Sequence, residues 1–134
     1  MVFPVIIFDT SFLVSFYHTG DSNHAKAMEI ATSLENEEKM LPDTILFETI
    51  TVLIYRAGME TAKNAYFELT SDPKTGFLHF DRQEREEIIT ELLERHDKLS
   101  SADMSVAYLA RKMGAKILSF DRNLNKAVGK KAIT

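Results

Sequence analysis

The chain contains no cysteine, a single glutamine (Gln83), three prolines and five glycines. Without cysteine there can be no disulfide, no thiolate metal site and no cysteine nucleophile. That absence fits a cytosolic protein, and together with the scarcity of glutamine it is in keeping with a heat-adapted source. Long apolar runs are missing too, which excludes a membrane-spanning helix. Met1-Val2-Phe3-Pro4 places no basic segment ahead of the apolar Val5–Phe8 stretch, and that stretch is too short for a signal peptide. A cytoplasmic location is therefore expected. Nor is there a basic excess: the net charge is −4, whereas nucleic-acid binders usually present a basic surface. Carboxylates grouped around bound divalent cations would neutralise part of that charge where a phosphate must approach.

What is present suits one domain spanning residues 1–134. The composition is 45% hydrophobic and 27% charged, enough to bury a core and stay soluble. No repeat, low-complexity stretch or linker interrupts the chain. Val5-Ile6-Ile7-Phe8 is continuously apolar and β-branched, the pattern of a strand buried on both faces. A short helix is predicted over residues 11 to 17. An amphipathic helix is predicted over 21 to 37, with Ala27, Ile30, Ala31 and Leu34 on one face. Lys39-Met40-Leu41 reads as a strand stopped by Pro42, followed by a very apolar helix over 43 to 57 that ends near Gly58. A helix over 59 to 70 closes at Ser71-Asp72-Pro73, and Phe77 to Phe80 reads as a strand. Asp81 and Glu84 form a capping box for a charged helix reaching about residue 96. A helix over 101 to 113 ends at Gly114, a C-cap. Lys116 to Phe120 is the next strand, a short helix starts at Arg122, and Lys131 to Thr134 reads as an edge strand. Strands alternating with helices imply a three-layer α/β/α sandwich around a central parallel sheet. Ligands in such folds bind beyond the carboxyl ends of the strands, near a topological switch point.

Four acids bear on function. Asp9 directly follows the first strand, and Asp121 sits where a later strand ends; each also suits a turn or helix cap. Asp103, in Ser100-Ser101-Ala102-Asp103, matches a capping box, a role compatible with metal binding because the helix dipole favours an acid in the first turn. Glu48 lies on an apolar helix where Thr44, Glu48, Thr51 and Tyr55 make one narrow polar stripe. The helix is expected to be largely buried, so this carboxylate is costly unless paired. A solvent-exposed stripe or an internal ion pair is the ordinary alternative; a cation shared with the other acids accounts for the cost as well. Clustered carboxylates bind Mg²⁺ or Mn²⁺ through oxygen, and such an ion activates water and stabilises charge on a phosphodiester. His18, His24, His79 and His96 are scattered, so zinc is a poor candidate.

These four segments, in this order and strand context, resemble the PIN-domain family, and in particular the VapC-type toxins: Ile7-Phe8-Asp9-Thr10-Ser11, Glu48 on a helix after Pro42, Leu99-Ser100-Ser101-Ala102-Asp103, and Ile117-Leu118-Ser119-Phe120-Asp121. The resemblance spans essentially the whole chain. It implies a PIN-like sandwich and an Mg²⁺- or Mn²⁺-dependent endoribonuclease in which water attacks the phosphodiester, leaving a 5′-phosphate and a 3′-hydroxyl. Asp9, Asp103 and Asp121 would hold the metal. Glu48 would orient the attacking water or share the ion. Ser11 or Thr10 and Ser119 would be supporting hydroxyls. Arg122 and Lys126 are candidate contacts to RNA phosphates, with a solvated cationic face as the ordinary alternative. The resemblance further implies inhibition by a small cognate antitoxin and a homodimer, for which the apolar helix 43 to 57 offers a plausible interface.

Two departures from the family pattern stand out. Leu124 replaces a frequent aromatic, and Asn123 and Asn125 stand where some relatives carry a further acid, so one metal ion is expected rather than a permanent pair. Other readings are a non-catalytic PIN-fold module that binds RNA or protein, and a housekeeping RNA-processing nuclease. A haloacid-dehalogenase phosphatase would need a second Asp where Ser11 stands, and a response-regulator receiver an acidic pair where Phe8-Asp9 stands.

Overall fold

A computed structural model describes residues 5–95 and 99–133. Its strands are β1 (Val5–Phe8), β2 (Glu38–Pro42), β3 (Thr75–Leu78) and β4 (Lys116–Leu118). The helices are α1 (Thr10–Tyr17), α2 (His24–Ser33), α3 (Asp43–Ala57), α4 (Met59–Ser71), α5 (Arg82–Glu94), α6 (Ser101–Met113) and α7 (Arg122–Val128), with a 3₁₀ turn at Gly129–Lys131. The strands form one parallel sheet in the order β3-β2-β1-β4. Helices flank it, giving the three-layer α/β/α arrangement expected from the alternation.

The strand order reverses between β1 and β4. From β1 the chain steps outward to β2 and β3, then returns through α5 and α6 to place β4 on the other side of β1. The crevice at their carboxyl ends is the switch point of this sheet. Ile7, Leu41, Ile117 and Leu118 are fully buried. Each such side chain stabilises the fold by about 1.5–3 kcal/mol, so the middle of the sheet is a rigid base for whatever projects from its end. A second apolar cluster, Val14, Leu53, Ala62 and Ala65, fastens α1 to α3 and α4.

Several boundaries differ from expectation, each for a local reason. Helix α2 is shorter than residues 21–37 because the Asp21 carboxylate accepts from the Asn23 N–H and the Ser15 hydroxyl, which makes a turn of the approach to the helix. Strand β3 begins two residues early, at Thr75, since it pairs with Lys39–Pro42 and that partner ends at Pro42. Strand β4 stops at Leu118 instead of Phe120. The N–H groups of Phe120 and Asp121 turn away to the hydroxyls of Ser11 and Ser119. The edge strand over 131–134 reduces to one parallel bridge, Ile117 to Ala132, and Thr134 lies outside the described residues. Helix α5 ends at Glu94, and His96 is likewise outside them. Gly114 is the left-handed C-cap of α6 (φ 64°, ψ 31°), where a side chain would be strained.

The expectation for α3 needs the largest correction. Ile45, Leu46, Thr49 and Leu53 are buried, but Phe47 and Tyr55 are 67% and 84% exposed, and Glu48 and Thr51 are exposed as well. This helix packs on α1, α4 and α6 and leaves its remaining face to solvent, with Glu48, Thr51 and Tyr55 of the polar stripe on it, while Thr44 bonds Ser105 of α6. The cost of burying Glu48 is therefore only partial, and is a weaker argument for a cation than the sequence suggests.

Candidate active site

Asp9 leaves β1 with its N–H bonded to the Leu118 carbonyl at 3.0 Å, and its extended backbone makes it the N-cap of α1. The side chain is 3% exposed. Its Oδ2 accepts from Ser11 Oγ and from Ser119 Oγ, both at 2.8 Å, and more weakly from the Ser11 N–H at 3.4 Å. Each serine in turn accepts a backbone N–H, Ser11 Oγ from Phe120 and Ser119 Oγ from Asp121, at 2.8 and 2.9 Å. A hydroxyl has one proton. With both protons directed at Asp9, the 3.0 Å approach of the two serine oxygens is a close contact imposed by their shared acceptor. The ends of β1 and β4 are thus tied through Asp9 Oδ2, while no described residue donates to Oδ1.

Asp121 repeats the pattern. It lies three residues beyond β4 rather than at its end, and caps α7 by accepting from the N–H groups of Asn123 and Leu124 through Oδ1, at 2.8 and 3.1 Å. Asp103 completes the expected capping box of α6: its Oδ2 accepts from the Ser100 N–H at 3.2 Å, and its own N–H donates to Ser100 Oγ at 3.1 Å. Each aspartate is therefore anchored through one oxygen, and the other receives no hydrogen bond from a described residue. Glu48 receives none on either oxygen.

The four acids act on one another. The Glu48 pKa is raised, first by partial desolvation of its carboxyl and then by repulsion from Asp9, Asp103 and Asp121. The residue as a whole is exposed, so the desolvation of its carboxyl is partial. Asp103 is raised in the same way, by desolvation first; its bond from the Ser100 N–H opposes the shift, and Asp9 and Asp121 add to it. Residues 9, 48, 103 and 121, far apart in the chain, thus share one electrostatic neighbourhood. Among the described residues no Lys or Arg forms an ion pair with any of them.

Also among the described residues, no three His, Asp or Glu side chains stand close enough to close on an ion as placed. The donor set nevertheless fits a hard divalent cation. It is all carboxylate oxygen, its charges repel and have no ion-pair partner among the described residues, and its aspartates are oriented by hydrogen bonds of the kind that hold metal ligands in place.

The supporting hydroxyls sort cleanly. Ser11 and Ser119 both bond Asp9, whereas Thr10 is buried and meets Thr49 Oγ1 at 3.4 Å, tying α1 to α3 without touching an acid. Arg122 and Lys126 are exposed on α7 without an ion pair among the described residues. Of the histidines, His24 Nδ1 bonds the Ser15 carbonyl at 2.9 Å and His79 pairs with Asp43.

Three interactions are not foreshadowed by the sequence patterns. Asn125 Nδ2 donates to the Ser119 carbonyl at 2.9 Å and ties α7 to the site loop. Thr44 Oγ1 and Ser105 Oγ are 2.8 Å apart and join α3 to α6 one turn below Glu48. Lys26 Nζ lies 5.9 Å from the centroid of the Phe120 ring, which brings a cation beside the loop carrying Ser119 and Asp121. Only Thr44, on the polar stripe of α3, leaves a signal in the sequence.

Four acids that share one electrostatic neighbourhood on a parallel-sheet α/β scaffold define the class. Within that class the family is specific: a family model for the PIN domain matches residues 6–130, and the chain belongs to the PIN-domain family. Among solved structures it is similar to VapC20 of Mycobacterium tuberculosis, a sarcin–ricin-loop-cleaving toxin. The two are 25% identical over 91% of this chain and 94% of that one, with a TM-score of 0.83. The fold is shared with VapBC2 of Rickettsia felis, solved with a fragment of promoter DNA, at 14% identity, 96% coverage of both chains and a TM-score of 0.65. It is shared as well with FitAcB of Neisseria gonorrhoeae, at 15% identity, 96% coverage of both chains and a TM-score of 0.69. No curated protein matches the chain by sequence.

Proposed function

We propose that residues 1–134 form one PIN-like domain acting as a divalent-metal-dependent endoribonuclease, the toxin of a toxin–antitoxin pair. The observation that carries this reading is the set of carboxylates just described: three aspartates each anchored through one oxygen, with Glu48 beside them and no cationic partner among the described residues. Asp9, Asp103 and Asp121 would hold Mg²⁺ or Mn²⁺, with Glu48 sharing the ion or orienting water. The bound ion would supply an activated water and stabilise charge on the phosphodiester. The chain's own part is positional. Ser11 and Ser119 hold Asp9, the caps hold Asp103 and Asp121, and Glu48, beside them, is placed to orient the attacking water. Arg122 and Lys126 would contact RNA phosphates, offsetting the acidic net charge locally. One ion is proposed, because Asn123 and Asn125 offer no further carboxylate.

The likeness to VapC20 supports RNA as the substrate, and the fold shared with a toxin–antitoxin complex from Klebsiella pneumoniae supports a small antitoxin as partner. A homodimer is proposed from the exposed Phe47 and Tyr55 on α3 and Met59, Tyr66 and Phe67 on α4, since these two helices pack together and expose large apolar side chains on the pair. Sedimentation at several concentrations tests it, and a single monomeric species throughout would refute it. No helix among the described residues is long and apolar enough to cross a membrane, which supports a cytoplasmic location.

The test of activity is incubation with single-stranded RNA and Mn²⁺ beside Asp9→Asn. The wild type should cleave to 5′-phosphate ends and the variant should not. Equal cleavage by both would refute the assignment, and equal inertness would favour a binding module.

A further inference from the structure

The chain is acidic overall, yet from Met104 onward it carries seven Lys or Arg residues against one acid, Asp121. Two of the seven are neutralised: Arg111 bonds Glu91, and Lys112 bonds Glu84 at 2.9 Å. The other five, Lys116, Arg122, Lys126, Lys130 and Lys131, have no ion pair among the described residues. They are not scattered. Arg122 directly follows Asp121 and shares a face of α7 with Lys126, four residues on. Lys130 and Lys131 lie in the 3₁₀ turn that continues α7. Lys116, at the start of β4, is brought to the same turn by donating from Nζ to the Lys130 carbonyl at 3.1 Å.

The segment is fixed at both ends. At the site end, Asn125 donates to the Ser119 carbonyl. At the far end, the Ile133 N–H donates to the Ile117 carbonyl at 2.9 Å, beside the Ile117–Ala132 bridge. The cations are therefore carried on backbone docked to the sheet edge. Helix α7 spans about 10 Å, so positive charge with no ion pair among the described residues runs from beside Asp121 to a second group of lysines more than one nucleotide away.

We propose that Lys116, Lys130 and Lys131 extend the Arg122–Lys126 pair into a track for the phosphate backbone, along which a single RNA strand runs away from the acidic site. The proposal rests on the nuclease reading of that site. It adds a path for the substrate and explains how an acidic protein would hold a polyanion: the cations are concentrated on one docked segment. Interactions of this kind are made to phosphate, so they are insensitive to base sequence and sensitive to salt.

The test is fluorescence anisotropy of a labelled single-stranded oligoribonucleotide with Mg²⁺ present, over a series of salt concentrations, in an Asp9→Asn background that prevents cleavage. For a single strand, each phosphate that the protein no longer neutralises should flatten the slope of log K against log salt by about 0.7. Replacing Lys116, Lys130 and Lys131 together with Gln should therefore flatten it by about 2 and weaken binding roughly tenfold or more near 0.1 M salt. A control replaces Lys63, Lys74 and Arg85 with Gln. These cations pair with Glu60, Glu38 and Glu86, so the variant carries the same net-charge change and should keep the parent slope. Thermal melts establish that both variants fold. An unchanged slope in the first variant, or equal flattening in both, overturns the track while leaving the nuclease reading standing. Failure of the Asp9→Asn parent to bind RNA, together with inert wild type in the cleavage assay, overturns both.

Discussion

On the β1–β4 side of the candidate site, Asp9 is buried and bonded by two serine hydroxyls that are themselves held by backbone N–H groups, and Asp121 is fixed by its cap. On the α3–α6 side, Glu48 is exposed and, among the described residues, receives no hydrogen bond, while Asp103 is anchored there only through its capping box. The first half is preorganised by the fold, at the price of a buried carboxylate. The second is held by less: both its pKa values are raised, first by desolvation and then by repulsion from the other acids, and only Asp103 has an opposing bond, from Ser100. The difference separates two tasks. On the proposed metal-dependent reading, the rigid half would define where an ion sits, and the looser half would supply charge that settles once the ion is present.

If that division is right, substitutions on the two sides should behave differently. The largest effect is expected for Asp9→Asn, which removes charge from the rigid half: cleavage should fall by roughly 10³-fold, comparable to losing a key electrostatic group in other active sites, measured under single-turnover conditions. Ser119→Ala removes one of the two hydroxyl bonds that orient Asp9. Metal affinity, read by Mn²⁺ titration, should weaken about 10- to 100-fold, as when a metal ligand loses its supporting hydrogen bond. Glu48→Gln should also impair cleavage, but with the opposite sign on stability. It removes a partly desolvated, repelled charge and breaks no hydrogen bond among the described residues, so the metal-free protein should gain up to ~1 kcal/mol after solvent screening of an exposed carboxylate, seen as a higher melting midpoint. Destabilisation by Glu48→Gln would show that the carboxylate has a favourable partner and would break the comparison.

Acidity offers a further probe. Glu48 and Asp103 have raised pKa values, so between the ordinary carboxylate value and the raised one the folded protein binds more protons than the unfolded chain. Stability contributed by these two groups therefore falls as pH rises through that window and stays reduced above it. Bound Mn²⁺ should remove the penalty, so the stabilisation conferred by metal should be full at neutral pH and shrink as the solution is acidified through the carboxylate range. Melting curves with and without Mn²⁺ across that range check it. The smallest effect is expected for Thr10→Val, about 0.5 kcal/mol in stability and no loss of metal affinity, because Thr10 faces Thr49 and no acid.

The same two halves differ in how much of them the sequence reveals. Asp9 and Ser119 lie at or just past apolar strand runs, and a parallel sheet delivers strand ends to one edge, so their convergence follows from the α/β alternation. The capping boxes at Asp81 and Ser100 are local and equally readable. Glu48 is singled out by the sequence, but for a mistaken reason. Its apolar helix implies burial, whereas α3 lies on the outer layer and turns Phe47, Thr51 and Tyr55 outward; hydrophobicity alone does not distinguish a core helix from one with an exposed apolar face. The ends of β3 and β4 are not legible because partner length and side-chain acceptors for backbone N–H groups set them, and both are properties of distant residues. The cationic C-terminal segment is in plain view as composition but is masked by the net charge of the whole chain.

The most direct measurement is calorimetric titration of Mn²⁺ into wild type, Asp9→Asn and Asp121→Asn at neutral pH. Convergence of the four carboxylates on one ion requires a single site per chain in the wild type and loss or strong weakening in both variants. Absence of binding to the wild type, or binding undisturbed by either substitution, would contradict it.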